Sequence, residues 1–394
     1  MRRVAIVTRI FSNQGGLEHY THRLVEGILS LDYQVTIICE ENHSKLQHQL
    51  LRVCQFKRPD KVLSKSERLK YYLRETTAVV KREGPFEVVH SQHFPTENPD
   101  VVTFHNHTVA RLTQSGKGWE NLVNALKARY RSSYKVRDKC DYLLATQSRI
   151  LIFPSVVMRR DFQEHFALPQ SANTASHLVA YPGVDHNESE VPKDETTVTF
   201  VFVGRGYRKK GLDVLLSACR KLVGRGYDFR LIIAGLESKL PDQIRLMFMG
   251  LQSYVHYLGF VSSMADVYAK ANAIILPSRV EPFGMAPLEA MSHGIVPIVS
   301  SVCGVSEILT EGHDALILQN QLDADELANL MASLIDQPVL RNSLARQAKL
   351  TAAKCSWQNT TEVTVAAYEN TIASKNIQYA EQSRQAKSEL LAKN

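Results

Sequence analysis

Short runs of β-branched and aliphatic residues, each followed by a polar loop and then by apolar positions three or four apart, recur along most of the chain. The first run, Val4 to Thr8, leads through a loop at Ser12 to Gly16 into a helical pattern carrying Leu17, Leu24, Ile28 and Leu29. A second run, Val35 to Cys39, follows. Strand, crossover helix and strand make a βαβ unit, and its repetition predicts an α/β fold with parallel sheets covered by helices on both faces. Further strands are expected at Val88 to Ser91, Val101 to Phe104 and Tyr142 to Ala145. The pattern restarts at Val198 to Val203, with a helix from Gly211 to about Val223 and strands at Phe229 to Ala234 and Val255 to Leu258. A helix over Met264 to Lys270, a strand at Ala273 to Leu276, a helix over Pro287 to Ser292 and a strand at Val296 to Val299 complete it. The last strand-like run is Ala315 to Leu318. From Asp323 onward the pattern is helical, and beyond Ala373 the spacing predicts a loose helix or tail.

Two doubly wound lobes in 394 residues agree with the usual ~100 to 200 residues per domain. The seam falls near Tyr181-Pro-Gly-Val-Asp185, where the polar stretch HNESEVPKDETT that follows reads as a linker. No apolar run approaches the ~18 to 20 residues needed to cross a bilayer. The opening MRRVAIVTRIF is broken by Thr8 and Arg9 too early for a secretory leader and reads as a first strand. Hydrophobic residues at 44% and charged residues at 22% exclude a disordered or collagen-like chain. Six cysteines, Cys39, Cys54, Cys140, Cys219, Cys303 and Cys355, include no CxxC pair, so reduced thiols and a cytosolic location are expected. The net charge of +7 is concentrated in residues 1–190, with 26 basic and 20 acidic side chains. Arg111 to Lys139 alone holds eight basic and two acidic residues, which points to an anionic partner for the first lobe.

Open parallel sheets place ligands outside the carboxyl ends of their strands, so the candidate chemistry is sought there. The densest signal is Glu281-Pro-Phe-Gly-Met-Ala-Pro-Leu-Glu289, two carboxylates spanning a strand-to-helix loop. Pro287 suits a first helical turn, which puts Glu289 inside that turn and Glu281 on the loop before it. Gly284 permits close backbone approach, and the amides of Met285 and Ala286 suit an anion. A second signal, Gly204-Arg-Gly-Tyr-Arg-Lys-Lys-Gly211, fails both the dinucleotide and phosphate-loop patterns. It still delivers Arg205, Arg208, Lys209 and Lys210 to a strand end, as a diphosphate requires. Gly15 and Gly16 precede the first helix, and Thr103-Phe-His105-Asn-His107 ends a strand. His90, His93, His105 and His107 lack helical metal spacing and accompanying ligands, so no metal site is expected. Asp323-Ala-Asp325 reads as a helix cap rather than a metal-binding pair.

Gly15-Gly16, the TFH at Thr103 to His105, PGVD at Pro182 to Asp185, Gly204-Arg205 with Lys210-Gly211, LGF at Leu258 to Phe260 and the paired glutamates with GIVPIVSS downstream occur in one order. Together they resemble the retaining GT-B glycosyltransferases of family 4, over nearly all of residues 1–372. DFQEHF at Asp161 to Phe166 and SVCG at Ser301 to Gly304 are similar to the branch that glucosylates the heptose of the lipopolysaccharide core. The resemblance implies two Rossmann-like domains facing across a cleft: residues 1–183 on the acceptor side, 184–355 binding a nucleotide sugar, and 356–394 as a helix returning to the first domain, then a tail. It implies that Arg205 and Lys210 grip the donor diphosphate, with Gly15 and Gly16 beside it, and that Glu289 takes the ribose hydroxyls. Glu281 and the amides of Phe283, Gly284 and Met285 would hold the sugar, and His105 would touch a sugar hydroxyl. Lys209 crowds the lysine position, so Lys209 and Lys210 both stay open.

The expected activity is therefore metal-independent transfer of a hexose from a nucleotide sugar, UDP-glucose favoured, to a cell-envelope glycan or glycolipid. No cofactor is expected. From the residues alone the stereochemistry is undecided, and retention comes from the resemblance. Epimerisation of a nucleotide sugar is an alternative on the same fold. Nucleic-acid binding is another, but no aromatics interleave with the basic residues and no nucleic-acid motif occurs. Glu120 to Lys139 reads as one basic amphipathic helix, with Leu122, Leu126, Tyr130 and Tyr134 on one stripe and Lys127, Arg131, Lys135 and Lys139 on the next. Such a helix fits peripheral docking at the inner face of an anionic cytoplasmic membrane, and equally a core-packed helix with a solvated basic face.

Overall fold

The computed structural model describes residues 2–60, 62–116, 118–168, 177–185, 197–237, 239–261 and 263–392. All but the last residue of the expected linker lies outside them. The first lobe is built on a seven-stranded parallel sheet: β1 (Arg3–Val7), β2 (Gln34–Cys39), β3 (Leu51–Gln55), β4 (Val88–Ser91), β5 (Val101–Thr103), β6 (Ile150–Phe153) and β7 (His177–Val179). Their spatial order is β3-β2-β1-β4-β5-β6-β7. The second lobe repeats the winding with β8 (Thr199–Val203), β9 (Arg230–Ala234), β10 (Val255–Gly259), β11 (Ala273–Leu276), β12 (Val296–Ser300) and β13 (Leu316–Leu318). Their order is β10-β9-β8-β11-β12-β13. In each sheet the strand order reverses beside the first strand, between β1 and β4 and between β8 and β11. Such reversals splay the following loops apart and open a crevice at the carboxyl edge.

The inner strands β1, β2, β6, β8, β11 and β12 are buried on both faces, as their continuous apolar runs require, whereas the edge strands β3, β7 and β10 are partly exposed. In the first lobe Val4, Ile6, Val35 and Ile37 pack against Leu24 and Ile28 of α1 (Gly16–Leu29). In the second, Phe200, Phe202, Leu231 and Ile233 pack against Leu215, Cys219 and Leu222. Each fully buried side chain of this kind contributes about 1.5–3 kcal/mol. The chain also contains α2 (Lys65–Glu83), α3 (Gly118–Tyr130), α4 (Ser132–Gln147), α5 (Val156–His165), α6 (Leu212–Gly224), α7 (Met285–Ser292) and α8 (Trp357–Ala392). Helix α8 crosses back to the first lobe: Tyr368 is buried in that lobe's core, and Lys375 Nζ lies 2.7 Å from Asp100. It continues to Ala392, past the point where the weak spacing suggests a tail.

Two expectations are corrected. Tyr142 to Ala145 is not a strand but lies within α4, because Asp141, Leu144 and Ala145 are buried at helical spacing; the strand is the next apolar run, β6. The segment Glu120 to Lys139 is not one helix. It breaks at Arg131, whose ψ of 121° is extended, so the apolar stripe read through to Tyr134 is divided between two helices. Strands β3, β6 and β7 and helices α2 and α5 were not anticipated by the pattern.

Behind the crevice the lobes are tied by Glu307, whose carboxylate accepts the amides of Val156 and Val157 at 2.8 and 2.7 Å and the hydroxyl of Tyr181 at 2.9 Å. A carboxylate at the start of α5 satisfies amides that have no partner within the helix. Ser155 Oγ donates to the carbonyl of Pro282 at 2.6 Å beside it.

Candidate active site

The loops after β1, β5, β8 and β11, all at carboxyl edges, meet around one cavity of about 690 Å³ between the lobes. Gly15, Gly16 and His105 line it from the first lobe. Arg205, Lys210, Glu281, Phe283, Gly284, Met285 and Glu289 line it from the second. All ten residues that the resemblance assigns to the site thus reach one space.

The basic loop after β8 closes on Gly211, whose φ of +77° and close approach to Pro277 admit no side chain: a Cβ there would lie 2.0 Å from the Pro277 carbonyl oxygen. That fixes where the loop's cations point. Lys209 and Lys210 both line the cavity, and Lys210 Nζ pairs with the buried Glu281 carboxylate. Arg205 is exposed at the cavity wall. Arg208 instead turns outward and pairs with Glu120 of α3 at 2.6 Å.

The position of Glu289 differs from expectation. Gly284, with φ +109°, caps α7, so the helix starts at Met285 and Pro287 is its third residue. Glu289 therefore sits in the second turn, beyond the reach of a simple dipole role. Desolvation by burial pushes its carboxyl up to about 7; the Tyr268 hydroxyl, 3.4 Å away, acts in the opposite direction, and the Asp185 charge adds to the rise. Met285 and Ala286, whose first-turn amides have no intrahelical acceptor, line the same cavity.

The four histidines each have their own polar partner, and His90, His93 and His105 lie close together. His90 is fully buried between Tyr368 Oη at 2.7 Å and Thr103 Oγ1 at 2.8 Å, and burial lowers it to about 3. His93 Nε2 pairs with Asp141 at 2.8 Å, and His107 Nδ1 with Asp161 at 2.9 Å. Burial, then the neighbouring His93 and His90, hold His105 well below its ordinary range, so it is neutral. Its Nε2 lies 2.8 Å from Gln92 Oε1, while the Gln92 amide nitrogen lies 3.2 Å from His90 Nε2. With the proton on Nε2, His105 Nδ1 is left as an acceptor. Gln92 was missed in the sequence, where only its place beside two histidines marked it. Among the described residues no group of three or more His, Cys, Asp or Glu could hold a metal ion. Asp323 caps its helix, accepting from the amides of Asp325 and Glu326 at 2.8 and 3.1 Å.

Asp185, at the end of PGVD, pairs across the crevice with Arg23 of α1 at 2.5 Å. Gly183 is dictated by the return of the chain: a Cβ there would fall 2.2 Å from the backbone nitrogen of Trp357. Helix α3 buries no residue, and Trp119, Leu122, Leu126 and Tyr130 are 66%, 65%, 49% and 75% exposed. No helix among the described residues is long and apolar enough to cross a membrane.

Family models match both lobes: Glycosyltransferase Family 4 over residues 14–188 and Glycosyl transferases group 1 over residues 184–351. A relative, an uncharacterized glycosyltransferase of Methanocaldococcus jannaschii, is 31% identical over 183 residues, 45% of this chain and 46% of that protein. The matched stretch spans about half the length of most such curated relatives. Among solved structures, WaaG, a glycosyltransferase involved in lipopolysaccharide biosynthesis, superposes with a TM-score of 0.74 at 18% identity, covering 92% of this chain and 98% of that one. HepE of Anabaena, solved in complex with UDP and glucose, superposes with a TM-score of 0.67 at 14% identity, covering 94% and 100%. These likenesses carry the fold, two facing Rossmann-like domains of GT-B type.

Proposed function

From a chain that belongs to the group 1 and family 4 glycosyltransferases, whose two models together match residues 14–351, we propose an enzyme that moves a hexose from a nucleotide-diphosphate sugar to a cell-envelope glycan or glycolipid, with the lipopolysaccharide core as the favoured example. The observation that carries this reading is the convergence of Gly15, Gly16 and His105 with Arg205, Lys210 and the Glu281 to Glu289 segment on one cavity. Residues 1–183 serve the acceptor, residues 184–355 bind the donor, and the helix from 356 onward ties the second unit back to the first. A UDP-sugar, UDP-glucose among them, is the favoured donor. The Anabaena protein of the same fold, solved with UDP and glucose, supports that choice.

Bond cleavage leaves negative charge on the departing diphosphate. Arg205, Lys210 and the amides that open α7 offset that charge without a metal. Gly15 and Gly16 admit the phosphates close to α1. Glu289 accepts the ribose hydroxyls, Glu281 and the Phe283 to Met285 backbone orient the sugar, and neutral His105 accepts from a sugar hydroxyl through Nδ1. The acceptor oxygen attacks from the face the nucleotide leaves, with retention. The exposed apolar side chains of α3, beside Lys127, Arg129 and Arg131, suit peripheral contact with the anionic inner face of the cytoplasmic membrane.

A thermal-shift screen of UDP-, GDP- and ADP-sugars, repeated with Glu289→Ala, tests the donor site. UDP-sugars are expected to stabilise the wild type and not the variant. Turnover is expected to survive EDTA, and loss on chelation restored by magnesium would contradict the metal-free reading.

A further inference from the structure

Behind His105 a chain of buried polar groups runs from the cleft to the helix that returns from the second lobe. His105 lines the inter-lobe cavity, and its Nε2 lies 2.8 Å from Gln92 Oε1. The Gln92 amide nitrogen lies 3.2 Å from Nε2 of His90 on β4. His90 Nδ1 in turn lies 2.7 Å from Tyr368 Oη on α8. Gln92, His90 and Tyr368 are 1%, 0% and 0% exposed, and none of the three lines the cavity. The His105 amide donates to His93 Nδ1 at 3.2 Å, and Tyr20 packs edge-on against the ring at 4.9 Å. Both contacts keep the same ring nitrogen turned toward Gln92. Burial keeps His90 and His105 neutral, so each ring carries a single proton.

We propose that Tyr368, His90 and Gln92 form a relay that fixes the tautomer of His105, with all three as positioning residues. A carboxamide offers its oxygen to one neighbour and N–H donors to the other. Gln92 therefore cannot treat its two histidines alike. The ring that meets its oxygen donates, so His105 carries the proton on Nε2; the ring that meets its nitrogen accepts, so His90 carries the proton on Nδ1. Two hydroxyls compete as acceptors for that one His90 proton: Tyr368 Oη at Nδ1 and Thr103 Oγ1, 2.8 Å away, at Nε2. Tyr368 favours the sense in which Gln92 donates to His90, and Thr103 favours the reverse. Were the relay reversed, Gln92 would turn its amide nitrogen to His105 Nε2, and Nδ1 would face the cleft as a donor. The sugar contact through Nδ1 rests on the glycosyl-transfer reading; the tautomer does not.

The test is nitrogen-15 NMR of the histidine rings in the ligand-free full chain at neutral pH, which reads the tautomer of His105 directly. The wild type is expected to show the proton on Nε2. Tyr368→Phe leaves the His90 Nδ1 proton without an acceptor and is expected to raise the share of His105 protonated on Nδ1 at least about tenfold. Thr103→Val removes an equally buried hydroxyl from the same ring and is expected to leave His105 as in wild type. Gln92→Met cuts the relay, so both tautomers of His105 are expected, and adding Tyr368→Phe to it should change nothing further. A wild-type proton on Nδ1, an unchanged ring in Tyr368→Phe, or equal shifts in Tyr368→Phe and Thr103→Val would overturn the proposal. Calorimetry of Tyr368→Phe is expected to show UDP-glucose bound at least about threefold more weakly and UDP bound as before. A tautomer shift with undiminished UDP-glucose affinity would uphold the relay and count against the sugar contact of His105.

Discussion

Replacing Glu289 by glutamine separates two effects that the wild-type carboxylate combines. Burial raises the carboxyl from its ordinary 4.5 to about 7, and that gap corresponds to about 3 kcal/mol. Between those limits the folded protein binds a proton that the unfolded chain releases, so stability falls as pH rises through the window and levels off above it. The ligand-free protein therefore carries an ionised Glu289 at a cost of up to about 3 kcal/mol at pH 8. Glutamine keeps the contact with Tyr268 and removes the charge. The Tm of Glu289→Gln should match wild type near pH 5 and exceed it by several degrees at pH 8. Nucleotide reverses the order: ribose hydroxyls donating to a carboxylate are worth about 1.5–3 kcal/mol, so UDP should bind the variant at least tenfold more weakly. Differential scanning fluorimetry from pH 5 to 8.5, with and without UDP, reads both effects. A Tm difference that does not change with pH would refute the buried-carboxylate argument, and undiminished UDP affinity would refute the ribose contact.

Lys210→Met strips the buried Glu281 carboxylate of its cation, with an expected loss of about 1–3 kcal/mol of stability by denaturant unfolding and a fall in turnover of at least a hundredfold; unchanged turnover would remove Lys210 from the site. Gly211→Ala forces a Cβ to within 2.0 Å of the Pro277 carbonyl oxygen, so a Tm drop of several degrees with loss of UDP binding is expected, and a wild-type melting curve would show that the loop is not pinned there. Trp119→Ser with Leu126→Ser removes apolar surface from α3 without disturbing packing, since neither side chain is buried. Flotation with anionic vesicles should fall at unchanged Tm, and equal flotation would exclude α3 as the contact.

The alternation of apolar runs with helical spacing was enough to establish two doubly wound lobes, because strands buried on both faces must be continuously apolar and their crossover helices must be amphipathic. That the ten candidate residues line one cavity was foreshadowed for a related reason. Glycines and charges placed directly after such strands can only lie at the carboxyl edge, where parallel sheets bind ligands. What the sequence could not determine depended on neighbours far along the chain. Tyr142 to Ala145 has strand-like composition but is helical because Leu144 and Ala145 are buried together. Glu289 moved from the first turn to the second because Gly284 adopts a left-handed conformation against Val305, which no local spacing encodes. The raised carboxyl of Glu289 and the turn of Arg208 toward Glu120 are likewise tertiary facts. Burial and charge balance depend on how segments meet in space, whereas periodicity belongs to each segment alone.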